Sequence, residues 1–191
     1  MPNNKKPKLA PLSSYCDAVD HPVHGPYHNL EYGFRVTDDP VLFERLMLEI
    51  NQAGLSWLTI LKKRDAFRSA YRGFDIDAVA RFSTRDRARL MRDAGIIRNR
   101  LKVNAAIENA RRLRAIRDSR GSFCGWLDSE HPLSLDEWRK LFKKTFVFTG
   151  GEIVREFLVS TGYLAGAHRE SCPAYAAALR SGAPWHLTRQ R

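Results

Sequence analysis

Cysteine is scarce in this chain: Cys16, Cys124 and Cys172 are the three in 191 residues. An odd, sparse set argues against a disulfide scaffold and for a reducing compartment, so a cytoplasmic protein is expected. Long apolar runs are missing as well. None approaches the roughly 20 residues that a membrane span needs, and no membrane partner is expected. The opening MPNNKKPKLAPLSS has charge with no apolar stretch behind it. It is read as a loose basic tail, residues 1–14, and not as a secretory signal. Val and Ile never alternate with polar residues over a useful length, which excludes a sheet and leaves an all-α protein. There is no Ser/His/Asp set and no Gly-rich phosphate cradle. Acids are in deficit: 21 Asp and Glu stand against 32 Lys and Arg, a net charge of +11. That surplus suggests a polyanionic partner, with plain solubility as the alternative. The runs RNRLK and ARRLRAIRDSR tilt the balance toward nucleic acid, because a phosphate backbone is met by such a stripe.

What is present is helical punctuation. TDDPVLFERLMLEINQAG opens with acids and Pro40, closes at Gly54, and repeats Leu42, Phe43, Leu46 and Ile50 at helical steps. Ser56 caps a helix carrying Trp57, Ile60, Leu61 and Phe67. A short helix is expected near Asp75 to Phe82. Then STRDRARLMRDAGIIRNRLKVNAAIENARRLRAIRD reads as helix, tight turn, helix. Ser83 or Thr84 caps the first helix and Gly95 ends it. The second runs from about Asn99 to Asp118. Ser134 and Glu137 form a capping box, GGEIVREFLVSTG is a helix ended by Gly162, and PAYAAALRS is a last short one. Residues 181–191 are read as a C-terminal tail.

Three constellations carry chemistry. In AGIIRNR, a second helix starting directly after a glycine turn exposes backbone N–H groups suited to phosphate, with Arg98, Arg100 and Lys102 beside them. An ordinary αα-hairpin with a solvated basic face remains open. Cys16 and His28 near the front, with His168 and Cys172 near the back, make a four-ligand metal set if the last two share a helix face. His21 and His24 compete with His28, and Cys172 reads equally as a buried thiol. Finally, Glu49 sits in an apolar run eight residues before Trp57. The bland alternatives are a surface pair between Glu49 and Arg45 and a core indole. Lys62 and Lys63 are read as facing DNA rather than as amine nucleophiles.

Taken together, YHNLEYG, LEINQAGLSWLTILKKR and DAGIIRNRLKVNA resemble the 3-methyladenine DNA glycosylase I family, in order from about Tyr15 to Cys172. The resemblance implies a helix-hairpin-helix DNA glycosylase fold, residues 15–180 as a single domain or two lobes around a base pocket. It implies a structural zinc ion on Cys16, His28, His168 and Cys172, joining the termini, and leaves Cys124 as a packing residue. It implies a monomer acting on double-stranded DNA with alkylated bases, excising cationic alkylated adenine by N-glycosidic hydrolysis. Glu49, Tyr27 and Trp57 fall at its base-pocket positions, and the Gly95 turn at its phosphate-gripping hairpin. The alternatives are an inactive helix-hairpin-helix DNA-binding protein, a glycosylase of shifted base choice, or a general helical interaction domain. This chain departs from the family pattern at Ala18, where Trp is usual, and at His24, where Tyr is usual. HDxEWG has become His28-Asn29-Leu30-Glu31-Tyr32-Gly33, Ile50 replaces a small residue, and Gly151 and Glu152 stand where small hydroxyl residues are commoner.

Overall fold

The computed structural model describes residues 14–188. The expected basic tail therefore lies, apart from Ser14, outside the described residues. A 3₁₀ turn, Tyr15–Ala18, precedes α1 (His24–Leu30), α2 (Asp39–Gln52), α3 (Trp57–Lys62) and α4 (Arg64–Ala70). A second 3₁₀ turn, Arg72–Phe74, leads to α5 (Ile76–Ala80), α6 (Thr84–Arg92) and α7 (Arg100–Arg120). The chain closes with α8 (Phe123–Glu130), α9 (Leu135–Thr145), α10 (Gly151–Ser160), α11 (Tyr175–Arg180) and α12 (Pro184–Thr188). No strand occurs among the described residues, as the missing alternation required. None of their helices is long and apolar enough to cross a membrane.

The caps explain most helix starts. Asp38, Ser56, Ser83, Asn99, Ser122 and Ser134 each accept a backbone N–H from the first turn that follows, satisfying donors that no helical carbonyl can reach. α2 is the central element. Every residue from Leu42 to Asn51 is buried, so its apolar period marks no solvent face. Around it an aromatic core forms from α8, α9 and α10, with Phe123 stacked on Phe157 at 5.9 Å between ring centroids. A smaller cluster, Tyr27, Tyr32, Val159 and Ala167, is packed by Tyr15 and Trp57.

Several expectations shift. The helix expected from Ser56 through Phe67 breaks at Lys63 into α3 and α4. The helix α8 was not anticipated. Residues 181–188 are no tail: Ala183 is buried, the Trp185 N–H donates to Gly162 O at 3.2 Å, and α12 follows. The arginine run on α7 is partly internal bracing. Arg114 and Arg117 both engage Asp77 of α5, and Arg111 Nε donates to Ala80 O at 3.2 Å. Those side chains tie two helices together instead of presenting a free stripe to phosphate.

Candidate functional site

A cavity of about 510 Å³ opens where several segments meet. The first turn supplies Tyr15, the chain beyond α1 supplies Tyr32, α2 supplies Glu49 and Gln52, and α10 supplies Glu152, Arg155 and Glu156. Trp57 completes the wall as the first residue of α3. Its placement is local: α2 ends, Gly54 turns the chain at φ +81°, and Ser56 starts α3 by accepting the Thr59 N–H at 3.2 Å. A left-handed φ is where glycine has no steric cost. The turn carries the indole round to the side of the helix that holds the carboxylate.

Glu49 is 5% exposed, and its carboxylate has no hydrogen-bond or ion-pair partner among the described residues. Burial pushes its pKa up to about 8, Glu156 and Glu152 push the same way, and Arg45 opposes them. The surface pair with Arg45 is not formed. Arg45 is itself buried and donates to Glu31 Oε2 at 2.7 Å. Arg64 reaches both Glu31 and Glu44, and Arg68 Nε donates to Glu44 at 2.9 Å, so a ramified ion network braces α2 against α4.

Tyr27 does not line the cavity. It is 2% exposed, edge-on behind Trp57 at 5.3 Å, with the Arg45 guanidinium 4.4 Å from its ring centroid. The rings that face the cavity are Tyr15 and Tyr32, packed at 4.8 Å. Tyr15, Gln52, Arg155 and Glu156 were missed from the sequence. Glu152 and Glu156, four apart on α10 with Arg155 between, look like an ordinary solvated helix face until the fold turns them inward.

Beside this cavity, Cys16, His28, His168 and Cys172 converge, their ligand atoms within 4.8 Å of one another. His28 Nε2 lies 3.2 Å from His168 Nδ1 and 3.6 Å from Cys172 Sγ, and Cys16 Sγ lies 3.9 Å from His168 Nδ1. Donors held about 2.0–2.3 Å from a tetrahedral centre stand about 3.3–3.8 Å apart, close to this spacing. The outer ring atoms are spoken for. His28 Nδ1 faces Asn29 Oδ1 at 2.6 Å and His168 Nε2 faces the Tyr32 carbonyl at 2.6 Å, both acceptors that require an N–H. Two lone pairs therefore face each other inside the cluster, which a cation resolves. The donor set fits a metal ion. The helix face that their spacing suggested for His168 and Cys172 is not formed; both lie on bends before α11. His21 and His24 stand outside the cluster: His24 Nδ1 meets Tyr15 OH at 3.2 Å, and His21 Nδ1 accepts the Val23 and His24 N–H groups. Cys124 is buried elsewhere, near Tyr163 and Asp128.

The turn between α6 and α7 differs from its reading. α6 stops at Arg92, and Gly95 lies beyond its end. Glycine is needed there for space, since a Cβ would sit 2.9 Å from Ala66 Cβ. Asn99 Oδ1 already accepts the Leu101 and Lys102 N–H groups. Lys102 is 5% exposed, and its ammonium donates to Asn51 O and Ala53 O at 2.8 and 2.7 Å, capping α2. It is removed from the phosphate-contacting set. Lys63 is likewise occupied, holding Ala94 O and Gly95 O at 2.8 and 3.2 Å. Arg98, Arg100 and Lys62 are exposed.

Residues 17–132 match the family model described as methyladenine glycosylase. The chain belongs to this family. Its relatives include DNA-3-methyladenine glycosylase of Haemophilus influenzae, 31% identical across 85% of this chain and 98% of that protein. DNA-3-methyladenine glycosylase 1 of Escherichia coli is 49% identical over 90 residues, a segment spanning about half of each protein (47% and 48%). Among solved structures, 3-methyladenine DNA glycosylase I in complex with 3-methyladenine superposes with a TM-score of 0.76 at 30% identity, covering 85% of this chain and 97% of the other. The Staphylococcus aureus enzyme gives 0.75 at 30% identity, covering 84% and 95%.

Proposed function

We infer that the protein is a monofunctional DNA glycosylase that extrudes a cationic alkylated adenine, 3-methyladenine, from the duplex and hydrolyses its N-glycosidic bond, the opening step of base-excision repair. A buried carboxylate without a partner, facing a cavity beside an indole, carries this reading. An unpaired buried carboxylate is costly, and such groups concentrate where a ligand completes them.

The mechanism follows from charge. A base inside a duplex is out of reach, and flipping it out costs a few kcal/mol, less for a base that already pairs poorly. Methylation on a ring nitrogen makes the purine cationic. Trp57, Tyr15 and Tyr32 offer π-faces to that cation, each worth about 2 kcal/mol when desolvated. Glu49 accepts N–H groups from the adenine edge in charge-assisted bonds. Tyr27, backed by Arg45, keeps the indole in place. On cleavage the C1′–N electron pair passes to the ring, which leaves neutral; water supplies the new C1′–O bond to the sugar cation and gives up one proton to solvent. Lys63 and Lys102 are both engaged with carbonyl oxygens, which supports hydrolysis over amine attack.

Outside the cavity, the reading assigns Arg98 and Arg100 to the phosphate backbone, with the α6–α7 turn as a helix-hairpin-helix grip in a protein acting as a cytoplasmic monomer. Cys16, His28, His168 and Cys172 would hold zinc. Four protein ligands leave no position for water, so the ion supplies structure: it fastens the first turn to the loop before α11. The deciding experiment is chromatography of bases released from methylated DNA by the purified protein. Release of 3-methyladenine is expected. Duplex binding with no base released would overturn the enzymatic reading in favour of a DNA-binding protein.

A further inference from the structure

The cavity contains more negative charge than recognition of one adenine edge by Glu49 requires. Glu152 and Glu156 also line it, with Arg155 between them. Arg155 Nη1 contacts Glu152 Oε1 at 3.2 Å and also pairs with Glu156 Oε1. Two carboxylates share one guanidinium, so this face of α10 keeps a net charge of about −1 whatever the state of Glu49. The second oxygen of Glu156 accepts the Tyr32 hydroxyl at 3.2 Å, which holds the carboxylate beside a ring that itself faces the cavity. Glu156 is a quarter exposed, where Glu49 is 5% exposed. The two acids therefore occupy different electrical settings: one is partnered and more open to solvent, the other is unpartnered and more deeply buried. Burial and the charge of Glu156 both favour the protonated form of Glu49 while the cavity is empty. An acid in that state has to give up its proton as the cation enters, so the attraction that draws the cation in falls to the partnered acid.

We propose that Glu156 is a specificity-determining residue that selects positive charge on the incoming purine, leaving Glu49 to read the adenine edge. This rests on the cavity being the base pocket. Charge selection of this kind has a kinetic signature. The purine carries its full positive charge when bound and loses it as the C1′–N electron pair moves onto the ring. Attraction to Glu156 is therefore strongest before bond cleavage and weaker in the transition state. Such an interaction lowers KM without raising kcat.

The test uses Glu156→Gln with methylated DNA, alongside Glu156→Asp. KM for 3-methyladenine excision should rise about tenfold in Glu156→Gln with kcat unchanged or higher, and Glu156→Asp should recover much of the loss. A wild-type KM in Glu156→Gln, or a fall in kcat alone, overturns the assignment. A second readout does not depend on excision: quenching of tryptophan fluorescence by 1-methyladenosine, a cation at neutral pH, compared with adenosine. Wild type should prefer the cation and Glu156→Gln should not. Absent excision by wild type sinks the glycosylase reading, whereas equal cation preference in wild type and variant sinks this one. If the glutamine variant does not fold, Glu156→Ser, which keeps a hydroxyl near Tyr32, carries the same expectations.

Discussion

Replacing Glu49 by Gln should stabilise the protein as it disables it, and the gain should depend on pH. In the folded chain the Glu49 carboxyl has a pKa near 8 against an ordinary 4.5, chiefly through burial and then through Glu156. A raised folded pKa means that the native state holds the proton more tightly than the unfolded state. Stability contributed by this group is therefore intact below pH 4.5 and falls as pH rises toward 8. Each pH unit in that window is worth about 1.4 kcal/mol, which puts a ceiling of about 5 kcal/mol on the penalty above pH 8; relaxation and water in the open cavity bring the expected figure to about 2 kcal/mol. Gln has nearly the same shape and no charge to desolvate. For a chain of this size about 1 kcal/mol moves Tm by about 2–4 °C, so Glu49→Gln should melt about 4–8 °C above wild type at pH 8 and level with it at pH 5. Excision of 3-methyladenine should fall at least about tenfold. The same group sets the pH profile of wild type: a cationic base is bound best by ionised Glu49, so kcat/KM should climb from pH 6 to 8 and flatten in the variant. Thermal melts at the two pH values and excision assays on methylated DNA measure all three. A Gln variant no more stable at pH 8 than at pH 5, or one that excises normally, would show that Glu49 is neither strained by burial nor used on the base.

Other expectations concern the scaffold. Cys172→Ser should lose bound metal, about one ion per chain in wild type, with a large drop in Tm on metal analysis and calorimetry; undiminished stability without metal would count against the site. Glu44→Gln should cost about 3 kcal/mol, because Arg64 and Arg68 lose a buried partner, and urea titration would detect it. Lys102→Met should cost about 2 kcal/mol by freeing the carbonyls of Asn51 and Ala53, yet leave the salt dependence of DNA binding unaltered. Arg98→Ala and Arg100→Ala should each lower the slope of log affinity against log salt by about 1 at wild-type stability; an unchanged slope removes that residue from the interface.

What could be read from the sequence was local or recognisable. Helix starts at Asp38, Ser56, Ser83, Asn99 and Ser134 were legible because the capping atoms lie within a few residues of the groups they satisfy. Glu49 and Trp57 stood out against their apolar surroundings, and the turn at Gly54 does bring them to one cavity. What was lost depended on distance. Lys102 and the carbonyl of Asn51 are 51 residues apart, and no pattern in either segment announces that one caps the other. Tyr27 and Tyr32 are equivalent to the eye, but only the fold says which ring faces the opening and which stands behind the indole. Glu156 carries no sequence signal, since an acid four residues after another on an amphipathic helix normally points to water. α8 was obscured by Gly125 and by the absence of charge in its first turn, and it forms because its aromatic residues pack into the core.

The two tethered lysines have a mechanical consequence. Lys63, a few residues past Trp57, grips the carbonyls of the α6–α7 turn, and Lys102, at the start of α7, grips the end of the helix that bears Glu49. The part that would hold the backbone and the part that would hold the base are thus bolted into one jig of fixed span. If the base and the backbone are held as proposed, the duplex has to fit a span set by these two tethers, and lesions that have already softened the helix would fit it at the lowest cost.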